Sequence, residues 1–249
     1  MSTFGKIGAK SMLEHRKFAD DYIQDGLVAM WDGQWNDGIG KHDPNATVWR
    51  DLTGNGYDGA VGSSVQVETN SMLFSGVANL ANVVDLGYSW FGEPSNITVE
   101  VAAYCIAGVA YANCIIGGYG SNTDSWLWHF FRTGNGAAIS QAMTLAGNRQ
   151  IGHGNVQTVG PKCFSMTIDS STITAYNAGV RSGSSSSGGG MDWSKPKARC
   201  AIGAHGKPNG GFGYPFHGNV YNARVYNRAL TAEEVAYNYS IDKIRFNLP

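Results

Sequence analysis

The chain has 249 residues, 43% of them hydrophobic, enough for one sizeable core, and a formal net charge of −1. That charge excludes the long-range field that draws nucleic acid or an anionic membrane. Charged residues are only 15% while glycines number 34, a composition suited to many short strands joined by tight turns.

No stretch approaches the roughly 18 apolar residues of a membrane span. Residues 1–16 contain Glu14 and His15 and no apolar run, so neither a secretory signal nor membrane insertion is expected. Cys105, Cys114, Cys163 and Cys200 lack CxxC spacing and are too sparse for a disulfide scaffold. They are expected as reduced, buried small hydrophobes, with a Cys105–Cys114 bridge across a hairpin as the alternative.

Taken in chain order, residues 11–23 predict a lead-in helix. Ser11 and Glu14 stand at capping-box spacing, and Met12, Ala19, Tyr22 and Ile23 share one face. Residues 27–31 predict a first strand. The segment 32–45 is a long connection rich in Trp, Asp and Gly. Residues 48–52 lead into a turn that carries Asn55-Gly56 and Asp58-Gly59.

Further along, Ile97, Val99, Val101 and Ala103 alternate with Thr98, Glu100, Ala102 and Tyr104; Phe164, Met166 and Ile168 alternate with Ser165 and Thr167. A strand at residues 173–176 turns at Asn177-Ala178-Gly179. The Ser/Gly tract 182–190 reads as a flexible loop. Tyr221, Ala223 and Val225 alternate with Asn222, Arg224 and Tyr226, a strand with one buried face, and Thr231 with Glu234 opens a second capped helix.

The fold class is therefore all-β. We expect an antiparallel two-sheet sandwich with a short N-terminal lead-in helix and a short C-terminal helix. Residues 1–25 form the lead-in and residues 26–249 the sandwich domain.

The closing string from Gly218 to Val235 resembles the last strand and helix of the laminin-G-like jelly rolls, the concanavalin A-like lectin/glucanase superfamily. Residues 49–59 are similar to that family's Asp/Asn-Gly turn, Phe74-Ser75-Gly76 to the strand after it, residues 164–179 to a family hairpin and Ala201-Ile202-Gly203 to a late strand. Where the closing motif usually carries Asp-Glu, this chain has Tyr221-Asn222. The overall flavour resembles domains of tailed phages and prophages. Such a match speaks for fold more than for function.

Three kinds of site were weighed. Catalytic members of the superfamily carry an E-x-D-x-x-E strand; this chain has no such string, no G-x-S-x-G and no HExxH, so no catalytic residue is assigned and no enzyme is expected. The resemblance implies loop calcium, for which Asp32, Asp51, Asn55 and Asp58 are the candidate ligands; turn chemistry accounts for the same residues. Loop aromatics with neighbouring polar groups are candidate sugar platforms: Trp35, Trp90, Trp193, His205, Asn209, Phe212 and Tyr214.

The expected function is a non-catalytic, lectin-like protein exposed on a phage virion, or released by lysis, that adheres to host-surface or mucosal glycans. The lead-in helix would contact other virion proteins, and a homo-oligomer is a further candidate. A purely structural decoration or fibre subunit and a glycoside hydrolase with a non-standard site are the alternatives.

Overall fold

The computed structural model describes residues 21–249 apart from 89, 107–112, 120–125, 133–136, 156–158, 195–198 and 208–209. The lead-in helix predicted over 11–23 lies almost wholly outside the described residues. Strands β1 (Leu27–Asp32), β2 (Val48–Trp49), β3 (Gly59–Val61), β4 (Gln66–Glu68), β5 (Ser71–Ser75) and β6 (Val84–Gly87) come first. Long strands β7 (Ile97–Cys105), β8 (Ile116–Tyr119), β9 (Trp126–Arg132), β10 (Ala137–Thr144), β11 (Gly147–Asn155) and β12 (Gly160–Ile168) follow. The chain closes with β13 (Thr172–Asn177), β14 (Val180–Ser186), β15 (Cys200–Ile202), β16 (His205–Gly206), β17 (Phe212–Gly213), β18 (His217–Tyr226) and helix α1 (Ala232–Arg245).

Two sheets result. Sheet A runs β14-β13-β12-β7-β18-β5-β4, with β1 also on β18. Sheet B runs β11-β10-β9-β8-β15-β6-β3-β2, with the β16–β17 hairpin attached through β8. Period-two alternation places Val99, Val101, Phe164, Met166, Ala223 and Val225 of sheet A against Val84, Ile116 and Ile202 of sheet B, in one core that also takes in Trp31, Trp49 and Phe74. The two sheets meet along one side, where Ser182 Oγ donates to Gly152 O (3.2 Å) and Arg149 Nε to Ser186 O (3.2 Å).

Strand β18 departs from expectation. A register shift between Val220 and Asn222 lets Val220, Ala223 and Val225 all face the core. Its other face is buried as well, because α1 and Tyr22 cover it. The helix opens as its capping box predicts, with Thr231 Oγ1 accepting from Glu234 N and Glu234 reaching back.

Beneath α1 lies a buried polar network. Arg224, 1% exposed, makes a bidentate pair with Asp242 (2.9 and 2.7 Å) and also donates to Glu100 (3.0 Å). Tyr22 donates to Asp242 (2.7 Å) and lies under the Arg224 guanidinium, 4.1 Å from its ring centre. Arg245 bonds Asp32 (2.6 Å), so β1, β7, β18, α1 and the segment before β1 are joined by charge-assisted bonds.

The Ser/Gly tract is only partly a loop: residues up to Ser186 complete β14, an exposed edge strand blunted by serines. The four cysteines are free and buried, so no Cys105–Cys114 bridge forms.

Candidate functional site

Cross-strand register defines the two faces of sheet B. Val61, Val84, Ile202 and Ile116, and further along Ser140 and Ile151, are successive partners on the core face. Ala60, Asp85, Ala201 and Gly117, and further along Gln141 and Gln150, are successive partners on the outer face. The β16–β17 hairpin folds over the middle of that outer face, where Phe212 and Ala204 pack on Ala201 and Val83.

The hairpin is a wall. On its β3–β6 side opens a cleft of about 510 Å³ lined by Ala60, Val61, Gly62, Ser63, Leu80, Ala81 and Asp85. Leu80 is 55% exposed at its lip. Gly62 admits the close approach: a Cβ there would fall 2.4 Å from Ala81 O.

Asp85 lines the cleft and fixes the Arg199 side chain. Its carboxylate accepts from Gly87 N (3.0 Å) and pairs with both Nε (3.1 Å) and Nη2 of Arg199. The Arg199 guanidinium lies over the ring of Tyr88, 5.8 Å from its centre, and Tyr88 is 62% exposed.

The hairpin reaches the same place. Gly206 packs on the backbone of Arg199, leaving no room for a Cβ, while the Lys207 side chain lies against Gly213 beside His205. His205 stacks on Tyr214 (4.7 Å, 26° between planes), leaving Tyr214 39% exposed. Burial, with Lys207 alongside, pushes the His205 imidazole down to about 3, so the stack is neutral.

The expected platforms fare unequally. Tyr214 stands exposed, Phe212 and His205 are buried in the wall, and Asn209 lies outside the described residues. Trp35 is 3% exposed under the Arg245 guanidinium (4.8 Å), so its loop folds inward and the expectation of a free face is corrected. Trp90 is 3% exposed in the core and tilts against Trp193 (6.0 Å), whose indole N–H donates to Pro94 O (2.7 Å). Sequence reasoning missed Tyr88, Asp85 and Arg199; the Gly87-Tyr88 step at a strand end was the available signal.

The carboxylates proposed for calcium serve the backbone. Asp32 accepts from Gln34 N and Trp35 N and pairs with Arg245. Asp51 accepts from Met30 N, Thr53 N and Tyr57 N. Asp58 accepts from Asp51 N and Arg50, and Asn55 donates to Val28 O. Oxygens already committed to N–H donors and arginines do not fit a calcium ion. No metal-holding group of three or more His, Cys, Asp or Glu occurs among the described residues.

Ser140 and His153 approach to 2.6 Å, a nucleophile-like pair, yet both are buried between the sheets. His153 Nδ1 donates to Tyr176 O (2.9 Å), so Nε2 is the acceptor of the serine hydroxyl. The pair is a structural bridge.

Residues 77–236 match the family model described as the concanavalin A-like lectin/glucanases superfamily. The chain belongs to this superfamily. Comparison with curated proteins finds no match.

Among solved structures the chain is similar to a Trypanosoma rangeli sialidase, with TM-score 0.64 and 16% identity over 95% of this chain and 39% of that one. Trypanosoma rangeli sialidase in complex with sialic acid gives TM-score 0.62 and 15% identity over 95% and 39%. The binding domain of Paraclostridial Mosquitocidal Protein 1 gives TM-score 0.59 and 15% identity over 86% and 52%. At these identities the likeness shows the fold alone, and the chain spans about two fifths of the sialidase chains. The expectation that the chain is not an enzyme is corrected on this point, since the fold occurs within sialidases.

Proposed function

We propose that this domain binds carbohydrate on the outer face of sheet B, at its β3–β6 end. The carrying observation is an exposed tyrosine, Tyr88, held beside an oriented Asp85–Arg199 pair whose aspartate lines an apolar cleft. A sugar presents C–H faces to an aromatic ring and hydroxyls to fixed polar groups, and such sites combine both. Tyr214 on the wall supplies a second exposed ring. The sialidase complex with sialic acid supports this class of ligand.

We further take the setting to be adhesion to host-surface or mucosal glycans from a virion, on the resemblance to phage domains. Other virion proteins, and a homo-oligomer, complete this reading; light scattering checks the mass.

A glycan array with wild type, Tyr88→Ala and Tyr214→Ala tests the binding claim. Both residues are exposed, so the variants keep the melting temperature while losing binding. Array signal unchanged in both variants contradicts this placement of the site.

A further inference from the structure

We infer that the ligand is an acetylated sugar, its acetyl carbonyl held by Arg199 and its methyl group seated in the aliphatic cleft that Asp85 lines. This rests on the carbohydrate reading of the same site and names the ligand class.

Arg199 and Asp85 form an ion pair, so together they carry no net charge. They differ in what they offer a ligand. Asp85 is the buried member, its side chain 8% exposed, and its oxygens already accept from Gly87 N and from Nε and Nη2 of Arg199. Arg199 is 29% exposed and has five N–H donors, of which these bonds use two. The pair therefore presents donors without net charge, which suits a neutral acceptor such as a carbonyl oxygen.

The cleft supplies the other half of the match. Ala60, Val61, Leu80 and Ala81 make it aliphatic, and among the described residues no aromatic ring lines it. Sugar hydroxyls pressed against such walls would lose water and gain no partner. A small apolar substituent fits there instead, while the sugar ring takes the exposed face of Tyr88. Asp85 belongs both to the cleft and to the ion pair, so donors and aliphatic wall adjoin at one carboxylate. An acetyl group carries its acceptor oxygen and its methyl on a single carbon, and so meets both at once.

The test titrates the full chain with glycosides of glucose, galactose and mannose, with their mono-O-acetyl esters and with the matching N-acetylhexosamines. An acetylated form should bind about tenfold tighter than its hydroxyl parent. The margin should hold at low and high salt, because the acetyl group is uncharged. Whether ester or amide gives the larger margin identifies the source of the acetyl group. Ala60→Leu fills the cleft from an exposed position, and should erase the margin with no change in melting temperature. Arg199→Met should narrow the margin and Arg199→Lys should restore part of it; the Ala60 variant guards against misfolding at Arg199.

Equal binding of acetylated and hydroxyl forms, unaffected by these variants, overturns the inference while the carbohydrate reading stands. Binding of none of the sugars overturns both.

Discussion

Arg224 and Asp242 face each other as a fork on a carboxylate, 2.9 and 2.7 Å apart at the two contacts, with the arginine 1% exposed. This pair fastens α1 to β18, and Glu100, Asn238 and Tyr22 saturate what the pair leaves over. Removing one partner strands a buried charge. Asp242→Ala should therefore destabilise the domain by about 3–5 kcal/mol. The triple variant Glu100→Gln, Arg224→Met, Asp242→Leu, which leaves no buried charge unpaired, should recover most of that loss. Urea unfolding measures both; a triple variant as unstable as the single one contradicts this account.

Burial lowers His153 from 6.5 to about 4, so unfolding takes up a proton that the folded state refuses. Its contribution is full above pH 6.5 and is lost as pH falls towards 4, on the order of 3 kcal/mol in total. His205, lowered to about 3, extends the same trend downward. Glu100, raised by burial, acts in the opposite sense, losing its contribution as pH rises through its folded value. Stability of wild type and His153→Gln against pH separates them: the acid slope between 6.5 and 4 should be shallower in the variant.

All four cysteines are buried, and burial holds the thiols of Cys114, Cys163 and Cys200 above their ordinary value, Cys163 at about 12. Native protein should react with a thiol reagent only as fast as it opens, and all four thiols should appear on unfolding. Two missing thiols would instead indicate a bridge.

Trp35→Ala should cost about 3–5 kcal/mol of stability, because the ring fills space beneath Arg245. Tyr88→Ala should change stability by less than about 0.5 kcal/mol, as an exposed position does. Thermal or urea unfolding of both variants distinguishes a packing ring from a presented one.

EDTA should leave both melting temperature and glycan binding unchanged, since Asp32, Asp51 and Asp58 are engaged by backbone N–H groups and arginines. A drop in either would restore the calcium reading.

The fold was legible because period-two burial survives in the sequence. Val99 and Val101, Phe164 and Met166, Ala223 and Val225 alternate as their strands require, and Thr231 with Glu234 announces α1. The outer side of β18 was less legible: Asn222 and Arg224 read as solvent-facing because nothing local reveals that α1 will cover them and supply Asp242. The site was mostly illegible for a related reason. Trp35 sits in a Gly/Asp-rich loop, yet its burial depends on Arg245, 210 residues away. Asp85, Tyr88 and Arg199 meet only because β15 pairs with β6, Cys200 opposite Gly87. Tyr214 was found because its loop combines aromatics with several polar groups, although Phe212 of the same loop turns inward.

The most direct test of the account is hydrogen–deuterium exchange of the full chain with and without a glycan selected from the array. We predict added protection in β6, β15 and the β16–β17 hairpin, around Asp85 and Arg199. Protection confined to α1 and the outer face of sheet A would contradict it.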